Sequence, residues 1–106
     1  MPTVKRFSTP LGTQPPGRMR VHFTTDAGTV MAFVVQLEVF DGTAWVPVIR
    51  YDGVHGFAHC DRHRRDGEQR KELLNLSYAD ALTYAAGDVK THWRTYAERF
   101  LRGEYP

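Results

Sequence analysis

The stretch that decides the fold is TVMAFVVQLEVF, residues 29–40. Side chains alternate between the two faces of an extended chain. One face of this stretch is apolar throughout and carries Met31, Phe33, Val35, Leu37 and Val39. The other face is apolar in its first half and carries Val30, Ala32 and Val34. Because a strand that is apolar on both faces is typical of the centre of a covered sheet, we predict a central β-strand with a helix on one face and a partner or loop on the other.

Further strands are predicted on both sides of this stretch, each bounded by turn-forming residues. Residues 19–25 alternate between apolar and polar side chains, and Asp26-Ala27-Gly28 supplies a tight turn after them. Asp41-Gly42-Thr43 closes a second hairpin, and Pro47 in the next strand favours an edge position or a bulge. The strands predicted after residue 40 are residues 45–51, the stretch from Gly53 to His63, and a short charged edge strand at residues 68–74.

One long helix is predicted to begin after Ser77. Ser77 is a favourable N-cap, Asp80 follows in the position of a capping-box acid, and Gly103 suits a C-terminal stop. Apolar residues then recur at intervals of three and four, as in an amphipathic helix. They are Leu82, Ala85, Ala86, Val89, Trp93, Tyr96, Ala97, Phe100 and Leu101. Gly87, inside the helix, indicates a close approach to the sheet.

These elements predict an α+β fold, an antiparallel β-meander of four or five strands with one long C-terminal helix across one face. Residues 19–106 then form a single α+β domain, and residues 1–18 are predicted to be a basic, irregular N-terminal arm. Four prolines and two glycines disfavour a strand in the arm, because proline cannot donate to a β-ladder. Lys5, Arg6 and Arg18 make it basic, so it either lies along an anionic surface such as RNA or DNA or is a solvated tail.

The composition limits the class of protein. The 106 residues suffice for one domain with a modest core. No apolar run approaches the roughly 20 residues that cross a bilayer, and the N-terminus lacks the apolar segment of a signal peptide, so we expect no membrane association and a cytoplasmic location. Cys60 is the only cysteine, which excludes an internal disulfide. One helix cannot cover both faces of the central strand, and we therefore expect a homodimer or a partner protein on the uncovered face.

The residues best suited to chemistry are concentrated in RYDGVHGFAHCDRH, residues 50–63. If this stretch is extended, one face carries His55, Phe57, His59, Asp61 and His63. Histidine titrates near neutral pH, so His55 and His59 are candidates for the acid and base of RNA cleavage. Arg50 is the candidate phosphate contact, because a cation stabilises the charge that develops on the phosphorus centre. Further candidate substrate contacts are Arg62 or Arg64 for phosphate, and Tyr51 or Phe57 for stacking on a base.

A metal site is an alternative for the same face. Four residues of a strand span roughly 13 Å, which is too far for His55 and His59 to share one ion. His59, Asp61 and His63 are two residues apart and could converge on zinc, leaving one position open for water. The acid–base interpretation needs no cofactor. A polar face that is hydrated or paired across strands would explain the same residues without any chemistry.

Two family resemblances rest on this stretch. Arg50-Tyr51-Asp52, followed by His55 and His59, resembles the Arg-(Trp/Tyr)-Asp-Asn plus histidine pattern of TumE-type toxins of toxin–antitoxin systems, with Gly53 replacing the asparagine. The last two thirds of the chain also resemble an uncharacterised group of short prokaryotic proteins with a Tyr-Asp-x-x-His-Gly-Phe-Ala-His core and a long terminal helix. The toxin resemblance implies interference with RNA or translation, and a cognate antitoxin as partner. The second resemblance implies no particular activity.

Two functions are therefore carried forward as hypotheses. The first is a small RNA-acting protein, a toxin-like ribonuclease that uses histidine acid–base chemistry. The second is a non-catalytic protein- or nucleic-acid-binding module, of the kind found among antitoxins and phage-defence accessory proteins. The sequence does not decide whether the protein is an enzyme.

Overall fold

The computed structural model describes residues 1–54 and 56–106. In this part of the chain, six antiparallel strands form one sheet, and each strand pairs with its neighbours in the chain. One helix follows the strands and packs on one face of the sheet. The elements are β1 (Thr3–Thr13), β2 (Pro16–Asp26), β3 (Thr29–Phe40), β4 (Trp45–Gly53), β5 (Ala58–His63), β6 (Gln69–Leu74) and α1 (Tyr78–Leu101). The α+β class and the meander are confirmed.

The hairpins form where the turn residues predict them. Ala27 and Gly28, between β2 and β3, both have positive φ, of 49° and 79°. Two such residues in succession give the turn whose twist matches that of the flanking strands. The pairing of β3 with β4 shifts register between Leu37 and Glu38, and Glu38 lies opposite Pro47. The predicted bulge at Pro47 is therefore confirmed.

The predicted number of strands, four or five, was too small, because part of the supposed irregular arm at residues 1–18 is β1. Thr3–Thr13 pairs with β2 along its length, with a register shift between Pro10 and Gly12. An edge strand tolerates proline, since one row of its backbone groups has no partner strand. Most side chains of β1 are exposed, so it lacks the apolar alternation from which the other strands were predicted.

Two glycines of this first hairpin have a packing role rather than a turn role. A Cβ atom at Gly12 or at Gly17 would lie only 2.6 Å from the indole ring of Trp93. Glycine therefore lets the helix and the hairpin approach closely enough to bury the ring. The close approach that the sequence placed at Gly87 is wrong, because nothing lies within 4 Å of a Cβ built there.

Helix α1 begins and ends as its capping residues predict. The Ser77 side chain accepts a hydrogen bond from the backbone N–H of Asp80 at 3.2 Å. Gly103 has a φ of 85° just after the helix. The buried face of α1 consists of Ala81, Ala85, Val89, Trp93, Ala97 and Phe100. This face packs on β2, β3, β4 and β5, so the core lies between α1 and one face of the sheet. No helix in the described ranges is long and apolar enough to cross a membrane.

The homodimer stays a prediction. It was inferred from the apolar character of both faces of β3. On the side away from α1, however, only the first half of the strand is apolar, because Val34 is followed by Gln36 and Glu38. We expect light scattering at micromolar concentration to give twice the chain mass of 12.1 kDa. A monomer mass at that concentration would contradict the dimer.

Candidate functional site

The face of the sheet away from α1, here called the open face, is lined with polar and charged side chains. Strand alternation causes this, because the residues between those buried under α1 point to the other side. Met19 and Val21 of β2 are buried, for example, while Arg20 between them is exposed. The charged, amide and histidine side chains of the open face include Arg6, Arg18, Arg20, His22, Gln36, Glu38, Arg50, Asp52, His59, Asp61, His63, Gln69 and Lys71.

A groove of about 620 Å³ crosses the open face from β1 to β4. Its polar lining comprises Arg6, Ser8, Arg20, His22, Gln36 and Arg50. The cationic groups come from three different strands, so they surround the groove rather than run along one edge. The Nε atom of Arg6 lies 3.4 Å from Nε2 of His22, in position to donate a weak hydrogen bond.

The carboxylate of Glu38 lies beside this groove and is already paired with Arg18. Its side chain is buried, accepts a hydrogen bond from Arg18 Nε at 2.7 Å, and accepts another from Gln36 at 2.6 Å. Arg20 lies farther away, 3.7 Å from Glu38, and most of its side chain is exposed. A charge-assisted pair at 2.7 Å is stronger than one at 3.7 Å to an exposed partner. Arg6 and Arg20 are therefore available to an anionic ligand.

At the β4–β5 end of the groove, His59 is paired with Asp52. The two residues lie opposite each other in the ladder, and His59 Nε2 is 2.6 Å from Asp52 Oδ1. Arg50 donates from Nε to the other oxygen of Asp52 at 2.9 Å. The second ring nitrogen of His59, Nδ1, lies 3.4 Å from the backbone oxygen of Phe57. Arg50 also lines the groove, so the groove and the Asp52–His59 pair are contiguous.

Asp61 completes a compact cluster with this pair. Each of Asp52, His59 and Asp61 offers one ligand atom, and the three atoms lie within 4.8 Å of one another. Asp61 Oδ2 is 4.0 Å from His59 Nε2, and Asp61 Oδ1 is 3.8 Å from the ammonium of Lys71. The carboxylates are largely buried, with 14% of Asp52 and 13% of Asp61 exposed, while 24% of His59 is exposed.

His63, the next residue on this face of β5, is partly shielded from solvent. Burial lowers the pKa of its imidazole, and the charge of Asp61 opposes the shift only in part. Its Nε2 atom is buried and has no hydrogen-bond partner among residues 1–54 and 56–106, and the same holds for Asp61 Oδ1. A neutral imidazole nitrogen and a carboxylate oxygen without partners are unusual inside a protein.

The structure brings some of the predicted site residues together. His59 and Arg50 both contact Asp52, and Phe57 is 72% exposed beside them. His55 lies outside the described residues. Of the predicted metal set His59, Asp61 and His63, the first two belong to the compact cluster, whose third member is Asp52.

Tyr51 was a wrong choice for stacking on a base, because it is only 1% exposed and faces α1. It follows Arg50 directly in the strand and therefore points to the opposite face. Its hydroxyl donates to Asp88, which also accepts a hydrogen bond from Tyr96. Burial raises the pKa of Tyr51 far above its usual range and, with the hydrogen bond to Asp88, that of Tyr96 to about 12, so both phenols remain donors at neutral pH.

Arg62 and Arg64 bind other residues and lie away from the Asp52–His59 pair. Arg62 donates to Glu72 at 2.8 Å and to the backbone oxygen of Pro106 at 3.0 Å, on the helix side of the sheet. Arg64 is bound to Asp66 in the turn between β5 and β6. These two predicted phosphate contacts are therefore not part of the open-face site.

Sequence reasoning missed the groove itself. The alternation of residues 19–25 puts Arg20 and His22 on the polar side of a strand, which was the available signal. Arg6 is predicted only as part of a basic arm, whereas it lies in β1 opposite His22. The pairing of Asp52 with His59 was not predicted, because the position of Asp52 opposite His59 depends on the strand register.

The chain matches the model of a known family. A family model described as "Domain of unknown function (DUF7718)" covers residues 1–106. No curated protein and no solved structure shows detectable similarity to the chain.

Proposed function

Since the chain belongs to the DUF7718 family, whose description assigns no function, we propose from the open face that this is a small RNA-acting protein, a toxin-like ribonuclease. The observation that carries the proposal is the continuity of the cationic groove with the Asp52–His59 pair through Arg50. A strand of RNA bound along the groove would have a phosphate next to a histidine. The TumE-type resemblance of residues 50–59 agrees with this assignment.

Binding rests on the arginines of the groove. Phosphate contacts dominate the affinity of proteins for nucleic acids, and each contact releases counterions. Arg20 is mostly exposed and lies 3.7 Å from Glu38, which is already paired with Arg18. Arg6 contacts His22, and Arg50 is held at the groove by Asp52. Phe57, largely exposed at the start of β5, offers an aromatic surface for a base. Single-stranded RNA fits this arrangement better than a duplex, because its bases can splay onto such a side chain.

The chemistry rests on His59 in the metal-free protein. Asp52 accepts from Nε2–H and fixes the tautomer that leaves Nδ1 to take up a proton. In the proposed step Nδ1 removes the proton of a ribose 2′-hydroxyl, whose oxygen forms a bond to phosphorus. The bond from phosphorus to the 5′-oxygen breaks, and that oxygen takes a proton from an acid, which leaves a 2′,3′-cyclic phosphate. His55 remains the predicted acid, and Arg50 the group that neutralises the phosphate.

We expect Arg20→Ala and Arg6→Ala each to weaken RNA binding and to lower the salt dependence of log Kd by about 0.7–1, the contribution of one phosphate contact. Fluorescence anisotropy with a labelled single-stranded RNA across a salt series measures both quantities. Lys90→Ala is the matched control, because it removes one exposed positive charge on α1, on the other side of the sheet. If Lys90→Ala and Arg20→Ala lose RNA affinity equally, the effect is one of non-specific charge, and the assignment of RNA binding to the groove is wrong.

A non-catalytic binding module is the second candidate, and exposed apolar side chains favour it. Phe57, just before β5, is 72% exposed, and Leu73 of β6 is 75% exposed. Val54, just after β4, is half exposed. An antitoxin or another protein partner could cover this surface. If the protein binds RNA without cleaving it, and if its expression leaves growth normal, the ribonuclease hypothesis is rejected in favour of the binding module.

A further inference from the structure

The cluster of Asp52, His59 and Asp61 has the dimensions of a metal site. Two ligands of a tetrahedral zinc ion lie roughly 3.4 Å apart, given ligand distances of about 2.1 Å. His59 Nε2 is 2.6 Å from Asp52 Oδ1 and 4.0 Å from Asp61 Oδ2, so these separations bracket that value. The three residues come from two adjacent strands, which fixes their backbones relative to one another.

Each of the three groups is also held by a neighbour that leaves one ligand atom directed into the cluster. Arg50 binds Asp52 Oδ2 and leaves Oδ1, while Lys71 lies near Asp61 Oδ1 and leaves Oδ2. The backbone oxygen of Phe57 faces His59 Nδ1, the nitrogen that is not directed at the carboxylates. A metal-bound histidine usually donates its second N–H to a carbonyl or carboxylate, which orients the ring.

An independent observation is the presence of unsatisfied buried atoms at the same place. Within the described ranges, Asp61 Oδ1 and His63 Nε2 are buried without a hydrogen-bond partner. The side chains of Asp52 and Asp61 are both more than four-fifths buried, and their negative charges are close together. Arg50 and Lys71 are more exposed than the carboxylates and compensate this charge only from the outside. A cation between the carboxylates would compensate their charge from inside the cluster.

We propose that Asp52, His59 and Asp61 bind one divalent transition-metal ion of the zinc class. One imidazole and two carboxylates form a mixed nitrogen and oxygen set that suits zinc or cobalt better than magnesium, which prefers oxygen ligands. Three protein ligands leave a fourth position open to water or to a phosphate from the groove. The inference deepens the proposed function by naming a cofactor for the same centre, and it requires no cleavage step to be tested.

Titration calorimetry of the metal-free protein with zinc chloride tests the site. We expect saturation at one ion per chain and, for Asp61→Asn or His59→Ala, affinity reduced by more than about 100-fold, since loss of an outer-shell partner alone costs 10–100-fold. Glu98→Gln, which removes an exposed carboxylate on α1, is the matched control and should bind zinc as the wild type does. Circular dichroism establishes that each variant is folded before titration.

Cobalt gives a second readout that does not depend on affinity alone. Co²⁺ bound by three protein ligands and water absorbs strongly in the visible region, and we expect this band in the wild type and its loss in Asp52→Asn. Unchanged zinc binding in both Asp61→Asn and His59→Ala, or several weak ions per chain, would overturn the site.

Failure of this inference is distinguishable from failure of the proposed function. Arg20→Ala should keep full zinc affinity while losing RNA affinity. If RNA binds in the Arg20-dependent manner and zinc does not bind, only the metal site is wrong. If zinc binds at the cluster and RNA does not bind, only the RNA proposal is wrong.

Discussion

Replacing Trp93 with alanine is expected to lower the free energy of unfolding by about 3–5 kcal/mol, which is most of the stability of a small domain. The indole is buried and fills the space between α1 and the β1–β2 hairpin, where Gly12 and Gly17 leave room for it. Removing it leaves a cavity that rigid strands cannot close. Urea unfolding followed by circular dichroism measures the loss, and a free energy of unfolding near that of the wild type would contradict the packing described above.

Neighbouring positions provide the controls for this experiment. His92→Ala changes an exposed residue of the same helix turn and should cost little. Gly17→Ala should destabilise the wild type, because its Cβ would overlap the indole ring. The same change should cost less in the Trp93→Ala background, where the ring is absent. A double-mutant cycle over these two positions measures that coupling, and strictly additive effects would show that the two residues do not touch.

Replacing His59 with alanine is expected to reduce RNA cleavage by about 10²–10⁴-fold, the usual contribution of a general acid or base. The histidine is required by the metal-free mechanism and by the metal site alike, so this loss tests the centre as a whole. Product formation on a short labelled RNA measures the rate. His92→Ala, which removes an exposed histidine from the helix, should cleave at the wild-type rate. Cleavage by His59→Ala at the same rate would move the chemistry away from this centre.

Treatment with a chelator then distinguishes the two roles proposed for His59, which are general base and metal ligand. If the ion takes part in cleavage, removing it should abolish the activity and added zinc should restore it. If the imidazole acts directly, the metal-free protein should cleave at the full rate. Arg50→Ala should lower the rate under both conditions, because it both lines the groove and holds Asp52.

Most of the fold follows from local patterns. Strands β2 to β6 and helix α1 each carry a periodicity or a capping residue that their sequences display directly. β1 carries neither, because an exposed edge strand buries few side chains and takes its conformation from pairing with β2. Its prolines and glycines indicated an arm, whereas two of those glycines are required by the indole of Trp93, a contact that no local pattern contains.

The candidate site was predictable only as far as strand alternation reaches. Alternation placed His59, Asp61 and His63 on one face of β5, and the structure agrees. Which residue of β4 faces His59 depends on the register between two strands, and the connecting segment does not reveal it. Arg50 lies opposite Asp61, so Asp52 falls opposite His59. A shift of one residue would have put Tyr51 there and turned the site into part of the core.

The strands lie in the sheet in the same order as in the chain. Each hairpin closes over a short loop, so the sheet can assemble by a series of local steps with little entropy lost to loop closure. The contacts of Trp93 with the first hairpin, by contrast, join segments far apart in the chain. Docking of α1 on the first hairpin is therefore expected to occur late in folding, after the local strand pairings.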